Sequence, residues 1–267
     1  MDYFFAILKN EADEDHQGWI QACENGKYNI SYKIIDITQN DWLENILSEN
    51  FDCFLTKPPG ITSHFKKLYD ERVYIIHNVL KKKIYPTYEE ILIYENKRML
   101  TYWLEANKIP HPKTWIFYHK DEANQFIENC TLPIVAKTAI GASGSSVKII
   151  KNRKKLKNYI DAAFSTKGIV RKWGPNLRKG DIGKRFVKRL RNIFQSYRYF
   201  RNKYISSTID PQRWFVIFQE YIKCDFEWRA VRIGESYFAH KKLRRLGEMF
   251  SGTSKVKWDV PPEKLLD

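Results

Sequence analysis

Only four cysteines occur in 267 residues, and Cys23, Cys53, Cys130 and Cys224 lie far apart, so no CxxC pair exists for a zinc ribbon or a thioredoxin-type site. Reduced thiols in a cytosolic protein are the expectation. No apolar run reaches the ~18–20 residues of a membrane span. The opening MDYFFAILKNEADED sets a short apolar run before a cluster of acids, the reverse of a secretory signal. Acids are scarce too: 31 Asp and Glu stand against 46 Lys and Arg, a net charge of +15. That balance favours a nucleic acid, a membrane surface or an acidic small substrate as partner. Internal repeats and low-complexity tracts are missing. What is present is 43% hydrophobic and 15% aromatic residues, too much to bury for a disordered chain and enough for one large or two ordinary domains.

Apolar runs alternate with helical periodicity over the first ninety residues: YFFAIL, a helix near 15–25, YKIIDI, a helix near 41–48, then FDCFLTKPP. Strand, helix, strand, helix, strand predicts a small parallel sheet, because parallel neighbours need a crossover between them. Tyr69, Val73, Ile76 and Leu80 recur at threes and fours and predict a further helix over 63–82. No glycine-rich dinucleotide turn follows the first strand. A helix carrying Leu100, Trp103 and Leu104 runs to Asn107, and Pro110 and Pro112 mark an extended linker. Beyond it come WIFYH, a helix over 121–129, LPIVAKTAIGASGSSVKII, a helix near 154–164, WFVIFQEYI, and EWRAVRIGESYFAHKKL with Gly234 as turn residue. This second part reads as α+β with antiparallel strands. The expected division is 1–93 and 94–267.

Within the second part, residues 165–213 hold fourteen Lys or Arg and two Asp, a local charge of +12. Phe186, Leu190, Ile193, Tyr197, Phe200 and Tyr204 form one apolar stripe at helical spacing there, with Lys184, Arg185, Lys188, Arg189 and Arg191 mostly elsewhere. A docked helix with a solvated basic face and a helix that binds a membrane surface or polyanion both fit. Nucleic acid ranks below membrane or acidic polysaccharide, since the tyrosines share the stripe and would be buried before they could stack on bases.

The run PIVAKTAIGASGSSV carries the most chemistry. A strand ends in Lys137, and Gly141, Ala142, Ser143, Gly144, Ser145 and Ser146 follow as a small-residue loop able to bring backbone N–H groups close to phosphate oxygens. It is not a Walker loop: GxxxxGK[ST] is absent and the lysine precedes the glycines. Taken with YENKRMLTYWLEANKIPHPKTWIF before it and IFQEYI and EWRAVRIGESYFAHKKLRR after it, this ordered set over residues 93–250 resembles the ATP-grasp superfamily. The likeness is strongest to its amino-acid ligases that act on protein, peptidyl or saccharide carboxylates.

The resemblance implies a fold, a small pre-ATP-grasp α/β domain followed by an α+β ATP-grasp domain, and a reaction. ATP with Mg²⁺ would phosphorylate a carboxylate, and an amine would displace phosphate from the acyl phosphate. It makes Lys97 and Lys137 the phosphate-contacting lysines and the loop Gly141, Ser143, Gly144, Ser145 and Ser146 a cover over the phosphates. Glu220, Tyr221 and Ile222 would meet the adenine edge through backbone groups, and Glu227 would take the ribose hydroxyls. Arg229 would reach the phosphates, with Lys242 and Arg244, beside Lys241 and Arg245, stabilising the acyl phosphate. The family's metal carboxylates belong to late strands ending in Glu-x-Asn, and Glu105 with Asn107 lies ahead of the linker, where it cannot serve. The C-terminal lobe is therefore expected to be incomplete, in a truncated or degenerate ligase with no metal ligands of its own. The competing expectation is a non-catalytic nucleotide-binding protein whose basic helix binds anionic membrane, polysaccharide or nucleic acid. The location expected in either case is cytoplasmic, peripheral at the inner membrane surface if the basic helix binds lipid.

Overall fold

The structure is a computed structural model and describes residues 2–12, 14–60, 62–141, 147–170, 210–243 and 256–262. Its first strand, β1 (Asp2–Lys9), carries Ala6, Ile7 and Leu8, all at most 1% exposed. An unbroken apolar run of this kind belongs to a strand covered on both faces, as parallel strands are. Helix α1 (Gln17–Asn25) crosses to β2 (Asn29–Asp36), which pairs with β1 in parallel along its whole length, and α2 (Trp42–Leu47) crosses to β3 (Cys53–Leu55) on the other side of β1.

Helix α3 (Ser63–Tyr74), capped by the Thr62 hydroxyl, passes into a π-helical turn over Ile75–Val79, where the Leu80 N–H donates to the Ile75 carbonyl at 2.9 Å. The single helix expected over 63–82 is thus two kinds of helix. Strand β4 (Ile84–Tyr85) completes a parallel sheet in the order β2-β1-β3-β4. Alternation along β1 sends Ile7 toward Cys23 of α1 and Ala6 and Leu8 toward Ile46, Tyr69, Val73 and Ile76. Both faces are thereby sealed.

Helix α4 (Tyr88–Ile93) opens on a capping box between Thr87 and Glu90, and α5 (Lys97–Ala106) on the Asn96 side chain. They lead to an antiparallel sheet in the order β5-β8-β6-β7, where β5 is Thr114–Phe117, β6 Ile134–Lys137, β7 Val147–Ile150 and β8 Val216–Glu220. Helices α6 (Lys120–Asn129) and α7 (Arg153–Ala163) cover one face and pack Ile127, Leu156 and Ile160 against Ile134, Ala136, Ile150 and Phe218. The other face carries Ile116, Ala139, Ile140, Phe215 and Ile217.

A third sheet joins β9 (Phe226–Ile233) to β10 (Ser236–Leu243) through Gly234, whose φ of +58° suits a residue without Cβ, and adds β11 (Val256–Lys257) to β10. Among the described residues no helix is long and apolar enough to cross a membrane. The basic helix expected within 165–213 and the loop residues Ser143, Gly144, Ser145 and Ser146 lie outside the described residues, as do Arg244 and Arg245.

Candidate functional site

Two lysines from different elements flank the start of the small-residue loop. Asn96 bridges Ile140, and this contact sets the first turn of α5 against the segment after β6. The Lys97 N–H then donates to the Ala139 carbonyl at 2.9 Å, and its Nζ donates to the Gly141 carbonyl at 2.6 Å. Gly141 has φ +143°, a conformation that a side chain would disfavour. The same segment is clamped from below by Gln212, only 6% exposed. Its Oε1 accepts from the Ala139 and Ile140 N–H groups at 2.6 and 3.1 Å, and its Nε2 donates to the Ile140 carbonyl at 2.8 Å. Sequence reading missed Gln212, which stands in no periodic run.

Lys137 ends β6. Since Ile134 and Ala136 point into the helix-covered core, alternation places Lys137 on the opposite face, beside Gln219 of β8. Its Nζ donates to Gln219 Oε1 at 2.5 Å, and Gln219 Nε2 donates to Thr114 Oγ1 at 2.9 Å. Burial lowers the Lys137 pKa, and the Glu227 carboxylate acts against that shift. Gln219 was also missed, although FQEYI contains it.

At the expected adenine hinge, Glu220 is tied to the linker before β5. The Glu220 N–H donates to the Lys113 carbonyl at 2.9 Å, and its Oε1 accepts from the Lys113 N–H at 2.7 Å, so these two groups fasten β8 to the linker. The half-buried Tyr221 and the exposed Ile222 follow outside regular structure.

On β9, Glu227 stands across from Lys242, with carboxylate and ammonium 3.9 Å apart, and Arg229 lies two residues on along the same face. Lys241 turns to the other face, over the Phe226 and Trp228 rings, and pairs with Asp259 at 2.8 Å. The run of basic residues is therefore divided, with Lys242 on the Glu227 and Arg229 face and Lys241 on the opposite one. Missed as well was Glu95, in a left-handed conformation at φ +51°, whose carboxylate lies 3.8 Å from Lys97 Nζ. Among the described residues no three His, Cys, Asp or Glu side chains group to hold a metal. Glu95 and Glu227 each face a lysine and Glu220 a backbone amide, a poor donor set for Mg²⁺. No step is assigned to that ion.

Residues 95–177 match the RimK-like ATP-grasp domain family. Among solved structures, D-alanine–D-alanine ligase from Bacillus anthracis aligns with a TM-score of 0.54 at 14% identity, over 100% of this chain and 74% of that one. D-alanyl-alanine synthetase A from Vibrio cholerae aligns at 0.53 and 11%, over 98% and 76%. Carboxyaminoimidazole ribonucleotide synthase from Aspergillus clavatus, complexed with ATP, aligns at 0.53 and 8%, over 91% and 55%. The chain has the ATP-grasp fold. No curated protein sequence matches it.

The family match takes in Lys97, Lys137 and Gly141 and ends before β8 and β9. The structure brings Lys97, Gly141 and Glu95 together at one end of the loop and Lys137 with Gln219 on the open sheet face, while Glu227, whose charge acts on Lys137, pairs with Lys242 on the third sheet. A groove of 440 Å³ lined by Asp70, Glu71, Tyr74, Ile75 and Tyr88 shares no residue with either group.

Proposed function

We propose that this chain is an ATP-dependent carboxylate–amine ligase that works through an acyl phosphate. The observation that carries the reading is the convergence of Lys97 and Lys137, from a helix start and a strand end, on the two sides of the segment leading into the small-residue loop. Two cations placed there suit the β and γ phosphates, whose charge must be neutralised as the phosphoryl group moves. Glu220, Tyr221 and Ile222 meet the adenine through backbone groups, Glu227 the ribose, and Arg229 with Lys242 the acyl phosphate. Residues 1–93 form one module and 94–267 the nucleotide-binding one. The separate apolar clusters around β1 and around Phe218 support that division.

Calorimetric titration with ATP tests the reading at its base. The wild type binds and Lys137→Ala binds at least tenfold more weakly; equal affinities remove Lys137 from the phosphate site. Hydroxamate formation from hydroxylamine, ATP and a panel of amino-acid and uronic-acid carboxylates tests turnover. ATP binding with no hydroxamate from any member favours the non-catalytic nucleotide-binding protein. The charge of +12 over 165–213 supports an acidic glycan or anionic membrane near the acceptor. Binding to either should fall steeply as salt shortens the Debye length from roughly 10 Å, while ATP binding should not.

A further inference from the structure

After α7 the chain passes Ile169, and ahead of β8 it passes Gln212, and these two residues face each other in an isolated antiparallel bridge. The Ile169 N–H donates to the Gln212 carbonyl at 2.9 Å, and the Gln212 N–H to the Ile169 carbonyl at 3.0 Å. Neighbours hold this crossing close. Gly168, at φ +63°, lies so near the returning segment that an added Cβ would stand 2.9 Å from the Gln212 carbonyl oxygen and 2.5 Å from Arg213 Cγ. The Trp214 N–H donates to the carbonyl of Ala163, the last residue of α7, at 3.1 Å.

The returning segment touches both modules. At its start Asp210, 1% exposed, accepts through Oδ1 from the N–H and the hydroxyl of Ser63, the first residue of α3. A carboxylate there satisfies an N–H group that a helix start leaves without an intrahelical partner, and it suits the positive end of the helix dipole. Helix α3 is itself fixed in the first module by Tyr69 and Val73, buried against the parallel sheet. Pro211 follows, locking its own φ and disfavouring helical backbone at Asp210, so the link onward is stiff.

Gln212 ends the segment at the nucleotide site. Its side chain takes the Ala139 and Ile140 N–H groups on one oxygen and donates to the Ile140 carbonyl, which also accepts from the Thr138 hydroxyl at 2.8 Å. Ala139 and Ile140 are 2% and 6% exposed, so water cannot take over from Gln212, and N–H groups orphaned there would have to move to find acceptors. The next residue is Gly141, whose carbonyl holds Lys97 Nζ.

We propose that Asp210 and Gln212 are positioning residues that set the start of the small-residue loop from helix α3, so that the first module governs how the loop meets the nucleotide phosphates. The proposal rests on the ligase reading, with ATP as the ligand of that loop. Neither side chain is given a contact with the nucleotide; both act through Ala139, Ile140 and Gly141. A loop whose first residues are already placed loses less conformational freedom as it closes, and the anchor adds to affinity in that way.

Calorimetric titration of ATP into the full chain, paired with hydrogen exchange read by mass spectrometry on peptides spanning 138–147 and 219–224, tests this. Gln212→Leu should bind ATP about tenfold more weakly, the scale of one lost hydrogen bond, and Asp210→Asn about threefold. At saturating ATP the wild type should slow exchange in both peptides. Gln212→Leu should keep the slowing in 219–224 and lose it in 138–147, whereas a general loss of stability would move both together. In the Gln212→Leu background Asp210→Asn should change ATP affinity no further, because the connection is already cut. Losses that add, or wild-type affinity and loop exchange in either single variant, overturn the proposal while the ligase reading stands. A wild type that binds no ATP defeats the ligase reading, and the proposal falls with it. If Gln212→Leu does not fold, Asp210→Ala decides, since it leaves Ser63 without its acceptor: weaker ATP binding with reduced slowing in 138–147 supports the coupling, and wild-type values overturn it.

Discussion

Among the described residues two lysines are withdrawn from water, one between α3 and α4 and one on the open face of the antiparallel sheet, and their surroundings differ in kind. Lys66, 1% exposed, pairs with the Asp70 carboxylate and donates to the Ile91 carbonyl at 3.1 Å. Burial lowers its pKa, and Asp70 restores part of the shift. Lys137 is also lowered by burial, but the group on its Nζ is the neutral amide of Gln219. The first lysine is spent within the fold, where its charge fastens α4 to α3. The second has a neutral amide on its Nζ and the Glu227 carboxylate acting on it, which under the proposed function leaves it able to receive a phosphate. The two lysines are alike in burial and differ in the chemistry of the partner.

The largest effect should come from breaking the α3–α4 seat. Lys66→Ala leaves the half-buried Asp70 without its cation and the Ile91 carbonyl without its donor, so unfolding in urea should show a loss of about 3–5 kcal/mol. ATP affinity of the folded fraction should not change. Lys137→Met should do the reverse: ATP binding weakens about 10- to 100-fold, the scale of one charge-assisted hydrogen bond, while the urea midpoint moves little. A Lys137→Met protein that unfolds as readily as Lys66→Ala would abolish the distinction.

Much of this contrast was legible in the residue order and some of it was not. YFFAIL declares a parallel strand covered on both faces, YKIIDI declares the edge strand beside it, where Ile35 is buried and Ile34 exposed, and Tyr69, Val73 and Ile76 declare one helical stripe. Strand β4 escaped because two residues carry no period, and the π-helical turn because its apolar spacing matches that of an α-helix. At the site, Lys97, Lys137 and Gly141 stand in motifs, so their positions could be expected. Gln212 could not, since its three hydrogen bonds reach across some seventy residues to a backbone segment. The division of Lys241 from Lys242 follows from strand alternation once β10 is granted, and was within reach.

Glu11 extends the comparison to a carboxylate, and pH reads it out. Burial, with Asp15 adding to it, pushes the Glu11 pKa up to about 7 against 4.5 in the unfolded chain, so the native state holds more protons between those values. Stability contributed by the neutral carboxyl is complete below pH ~4.5, is lost as pH rises toward 7, and is gone above it. Discounted for partial exposure, the change is on the order of 1–2 kcal/mol. Urea denaturation of the ligand-free chain across this range should show the decline, and Glu11→Gln should flatten it. A wild-type profile with no such slope would return Glu11 to the ordinary carboxylates.

The smallest effect is the sharpest test of the contrast, because it rebuilds one seat in the image of the other. Gln219→Glu changes one amide to a carboxylate beside Lys137 Nζ, giving that lysine the kind of partner Lys66 has in Asp70. The opposite charge favours the ammonium form, so the Lys137 pKa should rise toward its ordinary value, while the net positive charge offered to a phosphate falls. ATP affinity should weaken several-fold, less than on removal of the lysine, because the ammonium remains and ATP only has to compete with the new carboxylate for it. Gln219→Leu separates charge from geometry: it leaves the lysine free but unplaced, and should cost less than Gln219→Glu. Calorimetric titration of ATP into both variants checks the order, and a Gln219→Leu loss equal to or greater than that of Gln219→Glu would show that Gln219 serves by positioning Lys137 and not by leaving its charge uncancelled.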